Sequence, residues 1–144
     1  MAIVYFDSSA YVKLLVEEEG SDIAAELWDA CDVAVASRLA YPEVRAALAA
    51  AGRARRLTPA DQRRAESTWE TFWAATRAVE LTEQVGADAG RLAGEHALRD
   101  ADAVHLASAL ALGAEYLVLA AWDGRLRAGA EAVRMTLAPR QLAS

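Results

Sequence analysis

The sequence predicts an α/β protein in which a central, mainly parallel sheet of about five strands is covered on both faces by helices, a three-layer α/β/α sandwich. Three observations predict it. Short runs such as Ile3-Val4-Tyr5-Phe6 and Tyr116 to Ala120 are apolar throughout rather than alternating, as in strands buried on both faces. These runs alternate in the chain with segments whose apolar residues recur at helical spacing, the pattern of right-handed crossover units. No repeat, low-complexity tract or Pro/Gly-rich linker divides the 144 residues, so residues 1–144 read as one domain.

Each element has a local reason. Residues 2–6 form the first strand, and a helix follows from Ser8 or Ser9 with Tyr11, Leu14 and Leu15 on one face. Glu17-Glu18-Glu19 would oppose the helix dipole at a C-terminus, so that helix stops before them and Gly20 completes the turn. Ser21 caps a short helix to about Ala30, and the alternating stretch Val33 to Ser37 is the second strand. Pro42, at a first helical position, opens a helix to about Ala51 that Gly52 ends. Thr58-Pro59-Ala60-Asp61 opens a long helix to about Thr76, with Trp69, Phe72 and Trp73 on its apolar side. Ala78 to Leu81 is a brief strand, Thr82 to Ala97 a helix, and Ala101 to Leu112 an almost wholly apolar helix closed by Gly113. Tyr116 to Ala120 is a buried strand, Trp122-Asp123-Gly124 a turn, and Val133 to Leu137 a last edge strand.

Composition narrows the function classes. With 55% hydrophobic and 25% charged residues the chain can bury a core, so a folded chain rather than a disordered one is expected. A single cysteine, Cys31, rules out an internal disulfide and a cysteine-based zinc cage, and suits a reducing cytosol. No run approaches the roughly 18 apolar residues of a membrane span, and no basic region precedes the first apolar run, so a cytoplasmic protein without a membrane partner is expected. The net charge of −6 argues against a nucleic-acid partner, but its distribution does not. Fourteen of the fifteen basic residues are arginine, and Arg53, Arg55, Arg56, Arg63 and Arg64 crowd one segment. Arginine suits bidentate phosphate contacts, so this segment is a candidate RNA-binding patch; a solvated rim between two helices is the other reading.

The chemistry rests on four acids. Asp7 follows the first strand, Glu43 lies at the head of an alanine-rich helix, Asp102 stands in a first helical turn, and Asp123 follows the strand near residue 120. Each has a plain structural role open to it: a helix cap for Asp7, a dipole partner for Glu43, a turn residue for Asp123. Jointly they point elsewhere. In an open α/β sheet the carboxyl ends of parallel strands share one edge, where ligands bind. Carboxylates gathered there repel at roughly 1 kcal/mol per close pair even in water, and a cation must neutralise them. Oxygen-only ligation suits Mg²⁺ or Mn²⁺. Asp100 and Asp102 point about 200° apart on a helix, so only one can face the pocket; Asp102 is assigned to it and Asp100 to the cap. His105, one turn after Asp102, is expected to be partly buried and hydrogen-bonded near it, with ligand or base as the alternative. Ser9 could hold a carboxylate or cap the first helix. Trp122 is the tryptophan placed next to a candidate ligand.

These segments, Tyr5-Phe6-Asp7-Ser8-Ser9-Ala10-Tyr11-Val12-Lys13-Leu14, Pro42-Glu43-Val44, Arg99-Asp100-Ala101-Asp102-Ala103-Val104-His105-Leu106-Ala107 and Trp122-Asp123-Gly124-Arg125-Leu126, together resemble the PIN-domain ribonucleases, in particular the VapC toxins of type II toxin–antitoxin pairs. The resemblance spans essentially the full length. It implies a PIN-like fold and a Mg²⁺- or Mn²⁺-dependent endoribonuclease acting on structured RNA such as tRNA or rRNA. It also implies a homodimer and a cognate VapB-type antitoxin whose C-terminal segment fills the acidic groove. Carried over by position, Asp7, Glu43, Asp102 and Asp123 match the family's acidic quartet as catalytic residues, with Asp7, Asp102 and Asp123 as metal ligands and Ser9 as supporting hydroxyl. The family commonly has Thr or Ser two residues before the fourth acid, where this chain has Ala121, so a hydrogen bond orienting Asp123 is expected to be missing. A non-catalytic PIN-like interaction module and a Mg²⁺-dependent phosphotransfer domain remain as alternatives. Receiver-type chemistry lacks its late lysine, since Lys13 is the only one, and a dehalogenase-like motif lacks a second Asp at position 9.

Overall fold

Strand β1 (Ile3–Phe6) is the middle of a five-stranded sheet in which every pairing is parallel, ordered β3-β2-β1-β4-β5. The architecture comes from a computed structural model, which describes residues 1–142; the last two residues of the predicted domain lie outside them. Along the chain, α1 (Ser8–Leu15) and α2 (Ser21–Ala30) lead to β2 (Val33–Ser37), and α3 (Ala40–Arg53) and α4 (Pro59–Ala74) lead to β3 (Thr76–Val79). The path then crosses to the other side of β1 through α5 (Glu83–His96) and α6 (Asp100–Leu110) to β4 (Leu117–Ala120). Finally α7 (Gly124–Ala132) leads to β5 (Thr136–Ala138). The strand order reverses between β1 and β4, and such a switch point leaves a crevice at the carboxyl edge.

The pleat of β1 sorts the two cores. Val4 and Phe6 face α1, α3 and α4, packing with Tyr11, Val44, Leu48 and Trp69. Tyr5 faces the opposite way, toward α5, α6 and α7, with Leu92, Leu106, Leu119 and Leu126. Burial on both faces is why this strand carries no polar alternation. Aromatic rings set the first core, with Tyr11 edge-on to Trp69 at 4.8 Å and Trp28 edge-on to Phe72 at 4.7 Å.

Several local expectations shift by a residue or two. Helix α3 starts at Ala40, so Pro42 sits within its first turn, where an amide has no intrahelical partner. The same helix runs through Gly52 to Arg53. Gly20, at φ 91°, is the N-cap of α2 in place of Ser21, whose hydroxyl instead bridges Val16 O and the Glu18 amide. A Cβ on Gly20 would meet the Trp122 indole nitrogen at 2.8 Å, so both backbone sign and space favour glycine. Strand β3 begins at Thr76, where the long helix was expected to end. Strand β5 spans 136–138 rather than 133–137. Helix α7 is the element missing from the sequence reading. Its glycines and scattered apolar residues hide it, and a cap plus the insertion of Leu126 into the core stabilise it.

Arg127 on α7 is a buried arginine. Its guanidinium donates to Ala121 O at 2.8 Å, Pro139 O at 2.6 Å and Arg140 O at 3.1 Å, tying the end of β5 to α7. Replacing Arg127 by Met would strand these carbonyls. Urea unfolding of Arg127→Met should show a loss of roughly 3 kcal/mol, the scale for a charged buried donor.

Candidate active site at the carboxyl edge of the sheet

All four acids reach the same edge from four separate segments. Asp7 leaves the end of β1 and is the N-cap of α1, its Oδ1 accepting from the Ala10 amide at 2.9 Å and from Ser9 Oγ at 2.7 Å. Ser9 therefore holds a carboxylate directly. Asp123, three residues past β4, is the N-cap of α7 and accepts from the amides of Arg125 and Leu126, both at 3.0 Å. Ala121 offers no side-chain hydrogen bond, as expected, and the carboxylate is oriented by these two amides through Oδ1. Glu43 sits in the first turn of α3, which follows β2, and Asp102 in the first turn of α6. Asp100 also lies in α6, with Arg99 as N-cap; its side chain accepts from the Ala101 amide rather than from Asp102 or Ala103.

The electrostatics show which acids feel one another. Burial is the largest influence raising the Asp7 carboxyl above its ordinary pKa; His105, Ser9 and the Ala10 amide act against it, and the charge of Glu43 adds to it. Asp102 is raised first by burial and next by Asp123, with Arg99 and His105 opposing and Glu43 again adding. Glu43 and His105 thus act on both Asp7 and Asp102, which places those two acids in one neighbourhood. Arg99 spans Asp102 and Asp123, its Nε 3.8 Å from one carboxylate and its Nη2 3.6 Å from the other. A guanidinium lies where the acids most need a cation.

His105 is buried, as expected, but its partner is Glu43 rather than Asp102. Its Nε2 lies 2.6 Å from Glu43 Oε1 and its Nδ1 2.6 Å from the Tyr5 hydroxyl. Tyr5 is fully buried, and that burial keeps its phenol protonated well above the ordinary tyrosine range. Neither Tyr5 nor Arg99 carries a role in the sequence reading. The signals were a phenol in an otherwise hydrocarbon strand, and an arginine three residues before Asp102.

The set fits a hard divalent ion chemically, since every donor is a carboxylate oxygen and two of the acids are pushed toward protonation by burial and like charge. The side chains do not, as they stand, converge on one point: among the described residues no group of three or more His, Cys, Asp or Glu is set to hold a metal ion. Asp102 and Asp123 form one pair, bridged by Arg99, and Asp7 and Glu43 lie beside them.

The arginine patch lies elsewhere. Arg53, Arg55, Arg56, Arg63 and Arg64 are all exposed around the end of α3 and the start of α4. Arg53 follows Glu43 by ten residues on one helix, roughly 15 Å along its axis. Arg64 is paired with Asp61. Arg45 is engaged by Glu66 and Glu70. Trp122 packs beneath the Lys13 ammonium, 5.2 Å from ring centre to nitrogen, and against Gly20. No helix among the described residues is long and apolar enough to cross a membrane.

The sequence profile of the PIN domain matches residues 4–131. Ribonuclease VapC45 of Mycobacterium tuberculosis is 62% identical over 142 residues, which cover 99% of each chain. The chain belongs to the PIN-domain family, among the VapC ribonucleases. Solved structures agree in fold. The crystal structure of M. tuberculosis VapC20, described as a sarcin-ricin loop cleaving toxin, is similar with a TM-score of 0.67 at 19% identity. It covers 87% of this chain and 93% of its own. VapBC2 from Rickettsia felis, solved with a promoter DNA fragment, has a TM-score of 0.64 at 12% identity, covering 94% and 96%. The PIN-like sandwich expected from the sequence is therefore the fold of this VapC-family protein.

The raised carboxyls have a sign that stability measurements can read. For Asp7 and Asp102 the folded pKa exceeds the unfolded one. Their contribution to stability is complete below the ordinary carboxylate pKa and is lost as pH rises through the raised values. At neutral pH the metal-free Asp102→Asn variant should melt above the wild type, and the gap should close in acid. Added Mg²⁺ or Mn²⁺ should raise the melting temperature of the wild type more than that of the variant.

Proposed function

We propose that the protein is a Mg²⁺- or Mn²⁺-dependent endoribonuclease, the toxin of a VapBC-type pair, which hydrolyses phosphodiester bonds of structured RNA such as tRNA or rRNA. The observation that carries this reading is the arrival of Asp7, Glu43, Asp102 and Asp123 at one sheet edge, with burial and like charge raising Asp7 and Asp102. Family membership and the 62% identity to a ribonuclease support it.

Asp7 and Asp102 would hold the principal cation and Asp123 would complete its shell or bridge to a second. Bound Mg²⁺ or Mn²⁺ supplies Lewis acidity, lowering the pKa of water and offsetting charge that develops on the phosphate in the transition state. The residues do the positioning. Ser9 and the Ala10 amide fix one face of Asp7, leaving the other for the ion. Glu43 accepts a hydrogen bond from the attacking water and orients it for in-line displacement. Arg99, which lies between Asp102 and Asp123 and is largely exposed, would offer its guanidinium to an RNA phosphate at the same edge. The products would carry 5′-phosphate and 3′-hydroxyl ends. Phosphotransfer chemistry finds less support: no lysine follows Lys13, and Asp7 is followed by two serines.

An anionic polymer must approach an anionic pocket, and the exposed arginines at residues 53–64 would grip the RNA on one flank. The partner would be a VapB-type antitoxin, a reading supported by the likeness to VapBC2, and the active form a homodimer.

Asp7→Asn and Asp102→Asn should each lower Mg²⁺-dependent RNA cleavage by more than about 100-fold, because outer partners of a metal site alone are worth about 10–100-fold. Undiminished cleavage by either variant, with the fold intact by circular dichroism, would remove the proposal. Arg53→Ala and Arg56→Ala should each flatten the salt dependence of RNA binding by about 0.7–0.9 in logarithmic slope; unchanged slopes would take the patch out of the interface.

A further inference from the structure

Asp7 and Asp123 are oriented by backbone amides, but Glu43 is oriented by side chains reached from across the fold. The Ser37 amide, at the end of β2, donates to the Tyr5 hydroxyl at 3.0 Å. The Tyr5 hydroxyl meets His105 Nδ1 at 2.6 Å, and His105 Nε2 meets Glu43 Oε1 at 2.6 Å. Tyr5 and His105 are closed to solvent at 0% and 2% exposure, while the Glu43 side chain, at 24%, opens toward the acid pocket.

The direction of the hydrogen bonds follows from donor bookkeeping. The Glu43 carboxylate can only accept, so Nε2 must carry the proton that is donated to it. In the neutral ring Nδ1 is then bare and accepts the Tyr5 hydroxyl proton, while the Tyr5 oxygen accepts the Ser37 N–H. We propose that Tyr5 and His105 are positioning residues for Glu43: they hold the imidazole as its Nε2–H tautomer and thereby fix the carboxylate at the rim of the acid pocket.

Three features separate this from ordinary core filling. The chain of contacts links residues 100 and 62 positions apart, from β1, α6 and α3, and ends at the edge where the acids gather. A buried polar pair is costly unless every group is partnered, and here each is. His105 also lies three residues after Asp102 on α6, so one helix sets Asp102 directly and Glu43 at second hand. A free glutamate spreads over many rotamers, and pinning its oxygen from behind leaves the outward lone pairs aimed at the pocket.

The inference rests on the nuclease reading for its kinetic arm and not for its spectroscopic one. Two-bond ¹H–¹⁵N correlation of the imidazole in the wild-type protein should show His105 protonated at Nε2 and bare at Nδ1, and Tyr5→Phe should lose that pattern. In cleavage assays Tyr5→Phe should lower kcat about 10–100-fold with KM for RNA unchanged, the range for outer partners of a site. In a Glu43→Gln background Tyr5→Phe should cost nothing further, since the effect passes through Glu43. His105→Gln, whose amide can donate from nearly the same point, should retain more activity than His105→Leu. These two variants carry the kinetic test if Tyr5→Phe does not fold. A proton on Nδ1 in the wild type, a Tyr5→Phe loss that persists in full without Glu43, or equal activity of the Gln and Leu variants would overturn the proposal. If the wild type cuts no RNA, the nuclease reading fails and the tautomer still decides this one.

Discussion

Repulsion between carboxylates is the constraint around which this fold is arranged. Left to themselves, acids at one sheet edge would swing apart into water, each gaining hydration and losing unfavourable neighbours. They stay because each is anchored by something the fold needs anyway. Asp7 and Asp123 are tied to the first turns of α1 and α7, whose free amides and positive dipole ends favour a negative side chain. Glu43 is held by His105, and Asp102 lies under the Arg99 guanidinium. The cost of assembling like charges is thus spread over helix starts, a buried histidine and one exposed guanidinium.

The sheet makes that arrangement possible. Because β1 lies at the reversal of strand order, helices from both faces begin along one edge, α1 and α3 above one core and α6 and α7 above the other. The side chains at the edge therefore belong to two independent packings. Tyr5, which belongs to the second core, reaches Glu43 of the first through His105, so the relative placement of the layers is read out at the acids.

Much of this is legible in the sequence, for identifiable reasons. The unbroken apolar run of β1 and the capping residue after it mark both the central strand and Asp7. Strand β4 and Asp123 repeat the pattern. What is not legible is what depends on contacts between distant segments. Helix α7 has weak propensity and is stabilised by its cap and by Leu126 in the core, neither of which shows as periodicity. The pairing of His105 with Glu43 joins positions 62 apart, and the sequence offers only the nearer Asp102 as a partner. Arg127 resembles any surface arginine until the end of β5 is seen to bring backbone oxygens to it. The arginine segment reads as a patch near an acidic site, but helix length separates the two ends of α3.

The double duty of Asp7 and Asp123 bears on how kindred chains are to be interpreted. Both acids begin a helix, so a descendant that had given up cutting RNA would still be under pressure to keep them for architecture alone. Their presence is then poor testimony to a working nuclease. Glu43 and Asp102 cap nothing, and a lineage freed from cleavage would be expected to let them drift first. Those two letters, rather than the count of surviving acids, are the ones that would tell an active cousin from a retired one.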